Sequence, residues 1–414
     1  MFFQAKYCWK EGEWQGIIKV DGRGYYAYLP AIFIYDDLNF EWFQEVEVDN
    51  ISNPGLTYYF VYPTENGTVN RYFCGEAVLL LPFFLLAHLW CIITGSPPTG
   101  YSFPYMIMLA IAAIFYFMLG LIFVRKLLRS LGMSPISIIV SLFALGLGTN
   151  LWYYTIREMS MSHVYSFSMV AVFAYLIHRY FSTFDAKKLI LAAGFMGLIV
   201  LIRPVNALVL LASPLLAGSW SKFIDGAKAF FSKPILIAGT ASIVLALFSL
   251  QLIVYYIQTG HFWVYSYDDE GFNWLSPEAI NFMFSYKKGW FVYTPLAFLF
   301  VLSSFAWWKK LDRFKMLTYL GFTVAVVYVL SSWWMWYYGG SFGCRPIIEF
   351  YPILILPFAT ILTRMKPIWW LVVLPAVAFG VWLNQGQSFQ YIIGSMHWDS
   401  MDKEFYWRIF PLLF

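Results

Sequence analysis

The chain has 414 residues, of which 60% are hydrophobic, 22% aromatic and 12% charged, with a formal net charge of +4. A soluble domain carries about 25% charged residues, so this chain has about half the charge that a water-facing surface needs. Those proportions exclude a soluble globular enzyme, a disordered chain and a nucleic-acid binder.

Met1 to Val20 is polar, aromatic and mixed in charge, unlike a cleavable signal peptide. Asp21 follows within VDGRGYYAYLP, where Gly22 and Gly24 suggest a tight turn before an aromatic, interfacial stretch. Asp36 and Asp37 come next. Apolar blocks then run at 77–94, 104–124, 136–153, 163–181, 189–202, 204–218, 234–257, 291–308, 316–333, 346–362 and 368–384. A helix crosses a bilayer with about 20 apolar residues, which predicts an all-α polytopic integral membrane protein. Blocks 189–202 and 204–218 are short and meet at Arg203-Pro204. Proline removes a backbone donor and disfavours helix in the residue before it, so a tight hairpin of two spans is expected there.

Connectors alternate in charge. One set holds Arg125, Lys126 and Arg129; Arg179, Lys187 and Lys188; Lys222, Lys228 and Lys233; Lys309, Lys310, Arg313 and Lys315; and Arg364 and Lys366, fifteen cations in five segments. The intervening segments hold seven: Arg157, Arg203, Lys287, Lys288, Arg345, Lys403 and Arg408. The positive-inside rule places the first set in the cytoplasm and alternates the spans from 104 onward. The loop at 95–103 is then outside. Charge leaves open whether 77–94, interrupted by Pro82 and His88, crosses or lies at the outer interface. Residues 1–76, with eleven acids against five bases, favour the outside.

Polar chemistry is concentrated on the predicted outer side, in 20–58, 155–163, 260–295, 333–352 and 384–407, so a site is expected to face outward. Asp21 and Glu158 would meet at one membrane face as a general base and a metal ligand, or else be solvated loop acids paired with nearby arginines. Arg203, Lys288 and Arg345 work against the positive-inside bias. An anionic headgroup such as a phosphate would compensate them, as would internal pairing of Arg345 with Glu349 and of Lys287 with the 268–270 acids. The aromatic runs at 333–338 and 260–265 suit sugar stacking or interfacial anchoring. His163, His261 and His397 lack zinc-ligand spacing. Cys8 and Cys74 could pair outside the cytoplasm, although free thiols fit the spacing better.

The stretches VDGRGYYAYLPAIFIYDDLNF, NRYFCGEAVLLLPFFLLAHL, MSHVYSF, LIRPVNAL, EGFNWL with SYKKGWFVYTPL, WWMWYYGGSFGCRPIIEFYP and HWDSMDKEFYW together resemble bacterial members of the GT-C glycosyltransferase superfamily. These polytopic enzymes use polyprenyl-phosphate-linked sugars and include protein O-mannosyltransferases and aminoarabinose transferases. The resemblance implies a GT-C-like fold of about ten transmembrane helices plus a juxtamembrane helix at 77–94. It divides the chain into a first periplasmic loop (1–103), a helical domain (104–384) and an outer tail (385–414). The family opens with a membrane helix before its acidic motif, whereas twenty mostly polar residues precede Asp21 here.

By the same resemblance, Asp21 is the catalytic base and Glu158 the second acid, which would hold a divalent cation (Mg or Mn). Arg203, Lys288 and Arg345 bind the donor phosphate, with Asp36, Asp37, His163 and Glu349 as further candidates. The implied partners are a polyprenyl-phosphate sugar donor, a glycan, lipid or protein acceptor, and membrane lipids, at the periplasmic face of the bacterial cytoplasmic membrane. A flippase or other transporter, or a polymerase or ligase of lipid-linked saccharides, is the competing expectation. Transporters place polar groups at mid-membrane and often show two related halves, neither of which is evident here.

Overall fold

In the computed structural model, residues 9, 13–43, 45–46, 60–306 and 313–413 are described. They form a helical bundle whose only sheet, among those residues, is one hairpin, β1 (Val61–Thr64) and β2 (Gly67–Asn70), paired antiparallel with Val61 opposite Asn70. Cys8, Lys309 and Lys310 lie outside the described residues. Cys74, Cys91 and Cys344 are free, buried thiols.

Among the described residues, the α-helices of seven or more residues are α1 (Asp21–Pro30), α2 (Gly75–Thr94), α3 (Phe103–Ser130), α4 (Pro135–Leu147), α5 (His163–Thr183), α6 (Ala186–Ile202), α7 (Trp220–Phe231), α8 (Pro234–Thr259), α9 (Pro295–Leu302), α10 (Arg313–Ser331), α11 (Leu356–Arg364), α12 (Trp370–Ile392) and α13 (Lys403–Ile409). Six helical stretches among the described residues are long and apolar enough to cross a membrane, or up to eight if each of two bent pairs is one span. The protein is therefore membrane-embedded. Lipid, not water, explains why α8 and α12 leave residues such as Leu245, Ile257, Leu371 and Val372 more than half exposed.

Contacts between helix ends define two poles. The start of α4 reaches the end of α11, with Ser137 Oγ donating to the Ala359 carbonyl at 2.6 Å. His178 Nδ1 lies 2.9 Å from the Leu216 carbonyl, and Trp220 packs edge-on to Phe314. All of these contacts fall beside the basic connectors. At the other pole, Asn150 donates to the Cys344 carbonyl, Asn384 to the Tyr293 carbonyl and Gln385 to the Leu147 carbonyl. These contacts run α4 and α5 between the two poles in opposite senses. α5 is the axis of the bundle, 89% buried over its most apolar window, which suits its run of Ser, Ala and Met between aromatics.

The Arg203-Pro204 hairpin is present, but its return limb is not α-helical. It is a 3-10 helix (Pro204–Ala212) followed by one α turn (Ser213–Ala217), bent by 120° from α7. A 3-10 helix rises about 2.0 Å per residue against about 1.5 Å for an α-helix, so a short apolar block still spans most of the bundle. The segment Arg345–Phe350 is 3-10 as well and leads into α11.

α2 has the length and apolarity of a span. It runs antiparallel to the first half of α3 only, with Tyr116 donating to the Leu79 carbonyl and His88 Nδ1 lying 2.6 Å from the Tyr105 hydroxyl. Its amino end presses on the far end of α6, where a Cβ on Gly75 would collide with the Leu201 and Ile202 backbone. Both ends of α2 therefore lie away from the basic pole.

Candidate functional site

At the pole opposite the basic connectors lies a cavity of about 1340 Å³. α1 delivers Asp21 to it. Gly22 and Gly24 do not make the expected tight turn. They lie within α1, and Gly22 lets the helix settle onto Ser160, whose carbonyl would stand 2.7 Å from a Cβ there. Sequence spacing could not reveal this close approach, because Ser160 is in a distant loop.

Asp21 Oδ2 accepts from Arg345 Nη2 at 2.8 Å. Glu158 Oε1 accepts from the Tyr153 hydroxyl at 3.0 Å and lies 3.5 Å from Lys19 Nζ. Glu349, fully buried in the 3-10 segment, holds two partners on one oxygen: Arg203 Nη1 at 2.9 Å and His163 Nδ1 at 3.0 Å. Asp21, Glu158, His163, Arg203 and Arg345 all line the cavity. The expected local pairings are not made. Arg345 reaches across to Asp21 rather than to Glu349, since a 3-10 turn puts i and i+4 on different faces. Lys287 pairs with Asp399 at 3.1 Å, and Glu270 pairs instead with Arg71 at 3.0 Å.

Four expected site residues do not line the cavity, Glu349 among them, which holds Arg203 and His163 from behind. Lys288 is buried behind its wall, donating to the Ser341 carbonyl and sitting 5.2 Å from the Tyr391 ring centroid. Burial pushes its ammonium down to about 7, against the pull of Glu158 and Asp399. A lysine held this way braces the loop that presents Arg345. Asp37 caps its own loop, accepting from the Asn39 and Glu41 amides at 2.7 and 2.9 Å. Asp36 is the left-handed residue (φ 50°) that ends the π-helical turn Ala31–Tyr35 after α1.

Other site residues were not anticipated. Glu76 is fully buried in the first turn of α2, within electrostatic reach of Asp21, and neither of its carboxyl oxygens has a hydrogen-bond partner among the described residues. A lone acid at the mouth of an apolar block is the signal that would have found it. Lys19 and the Arg71–Glu270 pair are joined by tertiary contacts that no local pattern encodes, whereas Tyr153 reaches Glu158 five residues on.

The lining cations are Lys19, Arg23, Arg71, Arg157, Arg203 and Arg345, against the carboxylates of Asp21, Glu158 and Glu270 and that of Glu349 behind Arg203, a two-charge excess that favours an anionic ligand. The donor set suits a divalent cation poorly. No three His, Cys, Asp or Glu side chains come together among the described residues, and the partners of Glu158 are an ammonium and a phenol, both of which compete with a metal. One flank of the cavity is apolar, with Phe248, Leu252 and Tyr255 of α8 beside Phe73. α8 is also the most exposed of the long apolar helices, only 11% buried over its most apolar window. No family model matches the chain, and neither a curated protein nor a solved structure does.

Proposed function

We propose that the protein is a membrane glycosyltransferase of GT-C type. It moves a sugar from a polyprenyl-phosphate donor to a hydroxyl acceptor at the outer face of a bacterial cytoplasmic membrane. The observation that carries this reading is the Asp21–Arg345 pair at 2.8 Å inside one cavity that combines excess positive charge with an apolar flank. A lipid phosphate needs both surfaces: guanidinium forks for the phosphate and an apolar side for the chain. The spans in this reading number ten, counting the short helices α4, α6 and α9 and the two broken segments, with α2 as the juxtamembrane helix.

In this mechanism the acceptor oxygen attacks C1 of the sugar, and the bond from C1 to the phosphate oxygen breaks. The acceptor proton passes to the Asp21 carboxylate, which Arg345 holds in place at 2.8 Å. The electron pair leaves with the polyprenyl phosphate, whose growing charge Arg345 and Arg203 stabilise in a water-poor setting. Glu349 fixes Arg203 from behind. Glu158 acts through Lys19 and Tyr153, holding the cation at the rim.

The test is to incubate the purified protein in detergent with synthetic decaprenyl-phosphate sugars. An enzyme of this kind releases or transfers sugar at the expense of donor. A transporter binds the donor and leaves it intact, and that result would overturn the reading.

A further inference from the structure

We infer that the acceptor presents a sugar ring, and that Trp398 is the platform on which that ring sits. The inference rests on the glycosyltransferase reading and goes beyond it by naming the acceptor class. The cavity has two flanks. α8 packs on α6 and bounds the apolar one, whereas α12 packs on α4 and α9, and Tyr391 with the segment after it bounds the other. If the donor chain takes the α8 flank, the acceptor enters by the other.

On that second flank Trp398 lines the cavity yet remains 59% exposed. Exposing an indole forfeits burial that a tryptophan normally gains, and this one is not on a loose loop. His397 Nδ1 accepts from the Asp399 and Ser400 amides at 3.1 and 2.8 Å. Asp399 pairs with Lys287 at 3.1 Å, and Asp402 caps α13 through the Phe405 amide at 2.8 Å. The Met396 amide returns to the Gln390 carbonyl at 3.1 Å. One part of the indole rests on Gly340, where an added Cβ would lie 3.1 Å from Cε3. The His397 ring stacks beside it, 5.7 Å between centroids, and the rest of the indole is exposed.

Glu158, Lys19 and the Tyr391 ring line the same cavity. A pyranose matches that surface: its C–H face covers an aromatic ring while its hydroxyl edge reaches carboxylate and ammonium groups. A lipid acceptor would lay its chain against the Lys19–Glu158 ion pair, whereas chains want the apolar lining found on α8.

Saturation-transfer NMR on the full chain in nanodiscs tests this, with maltotriose, chitotriose and mannotriose as probes. We expect saturation of ring C–H protons from at least one of them. The affinity should fall about three- to tenfold in Trp398→Ala and recover in Trp398→Phe. No saturation from any of the three, or binding unchanged in Trp398→Ala, overturns the inference and leaves Trp398 as an interfacial anchor. Displacement of the bound saccharide by an unglycosylated serine peptide also overturns it, in favour of a protein acceptor. Donor consumption by the wild type, followed in the same preparation, reports on the glycosyltransferase reading independently.

Discussion

Arg345 Nη2 stands 2.8 Å from Asp21 Oδ2, joining the first turn of α1 to the 3-10 segment that leads into α11. Both residues line the cavity. In the proposed transfer, Asp21 serves the acceptor hydroxyl and Arg345 the leaving phosphate.

Arg345→Met should lower turnover about 10²- to 10³-fold, the usual cost of losing a charge-stabilising donor. Arg345→Lys should recover only part of that, because an ammonium cannot replace the planar fork. Steady-state assay of donor consumption distinguishes the two, and equal activity of Lys and Arg variants would argue against a bidentate role.

Glu349 serves Arg203 and His163 from one oxygen with no exposure to solvent. Glu349→Ala leaves a cation without its counter-charge, and should destabilise the fold by about 3–5 kcal/mol. Glu349→Gln keeps the shape and should cost less. Thermal unfolding in detergent measures both, and an unshifted melting temperature in Glu349→Ala would contradict the geometry.

Lys288 gives a pH dependence with a defined sign. Its ammonium titrates at about 7 in the fold and near 10.4 when unfolded. Between those values the unfolded chain binds the extra proton, so stability rises with pH, by at most about 1.4 kcal/mol per unit. Below pH 7 the full cost of burying the charge is present. Lys288→Met should abolish the rise in melting temperature between pH 7 and 9, and a slope equal to that of the wild type would rule out Lys288 as its source.

The topology predicts which residues a membrane-impermeant maleimide reaches in intact cells. Glu65→Cys and Leu275→Cys, both exposed, should label from outside, and Lys187→Cys only after permeabilisation. Labelling of position 65 from the cytoplasmic side alone would put α1 and its aspartate in the wrong compartment.

Much of this was legible in the residues themselves. The apolar blocks, the charge alternation and the Arg203-Pro204 reversal all follow from local composition, and each has its helical counterpart. Asp21, Glu158, His163, Arg203 and Arg345 share one cavity because each is a polar residue kept at the same pole of the bundle. The partners were not legible. Arg345 with Asp21 and Lys287 with Asp399 are set by tertiary approach, whereas the sequence offers only i,i+4 neighbours. Lys288 looked like a phosphate ligand because burial cannot be read from a loop motif. The 3-10 return limb was hidden because apolar runs do not reveal their rise per residue.

The most direct test is Asp21→Asn assayed with a decaprenyl-phosphate sugar and its acceptor. Asparagine nearly preserves shape but cannot take the proton, so donor binding should stay within about twofold while turnover falls about 10²- to 10⁴-fold. Turnover equal to that of the wild type would contradict the assignment of Asp21 as the base.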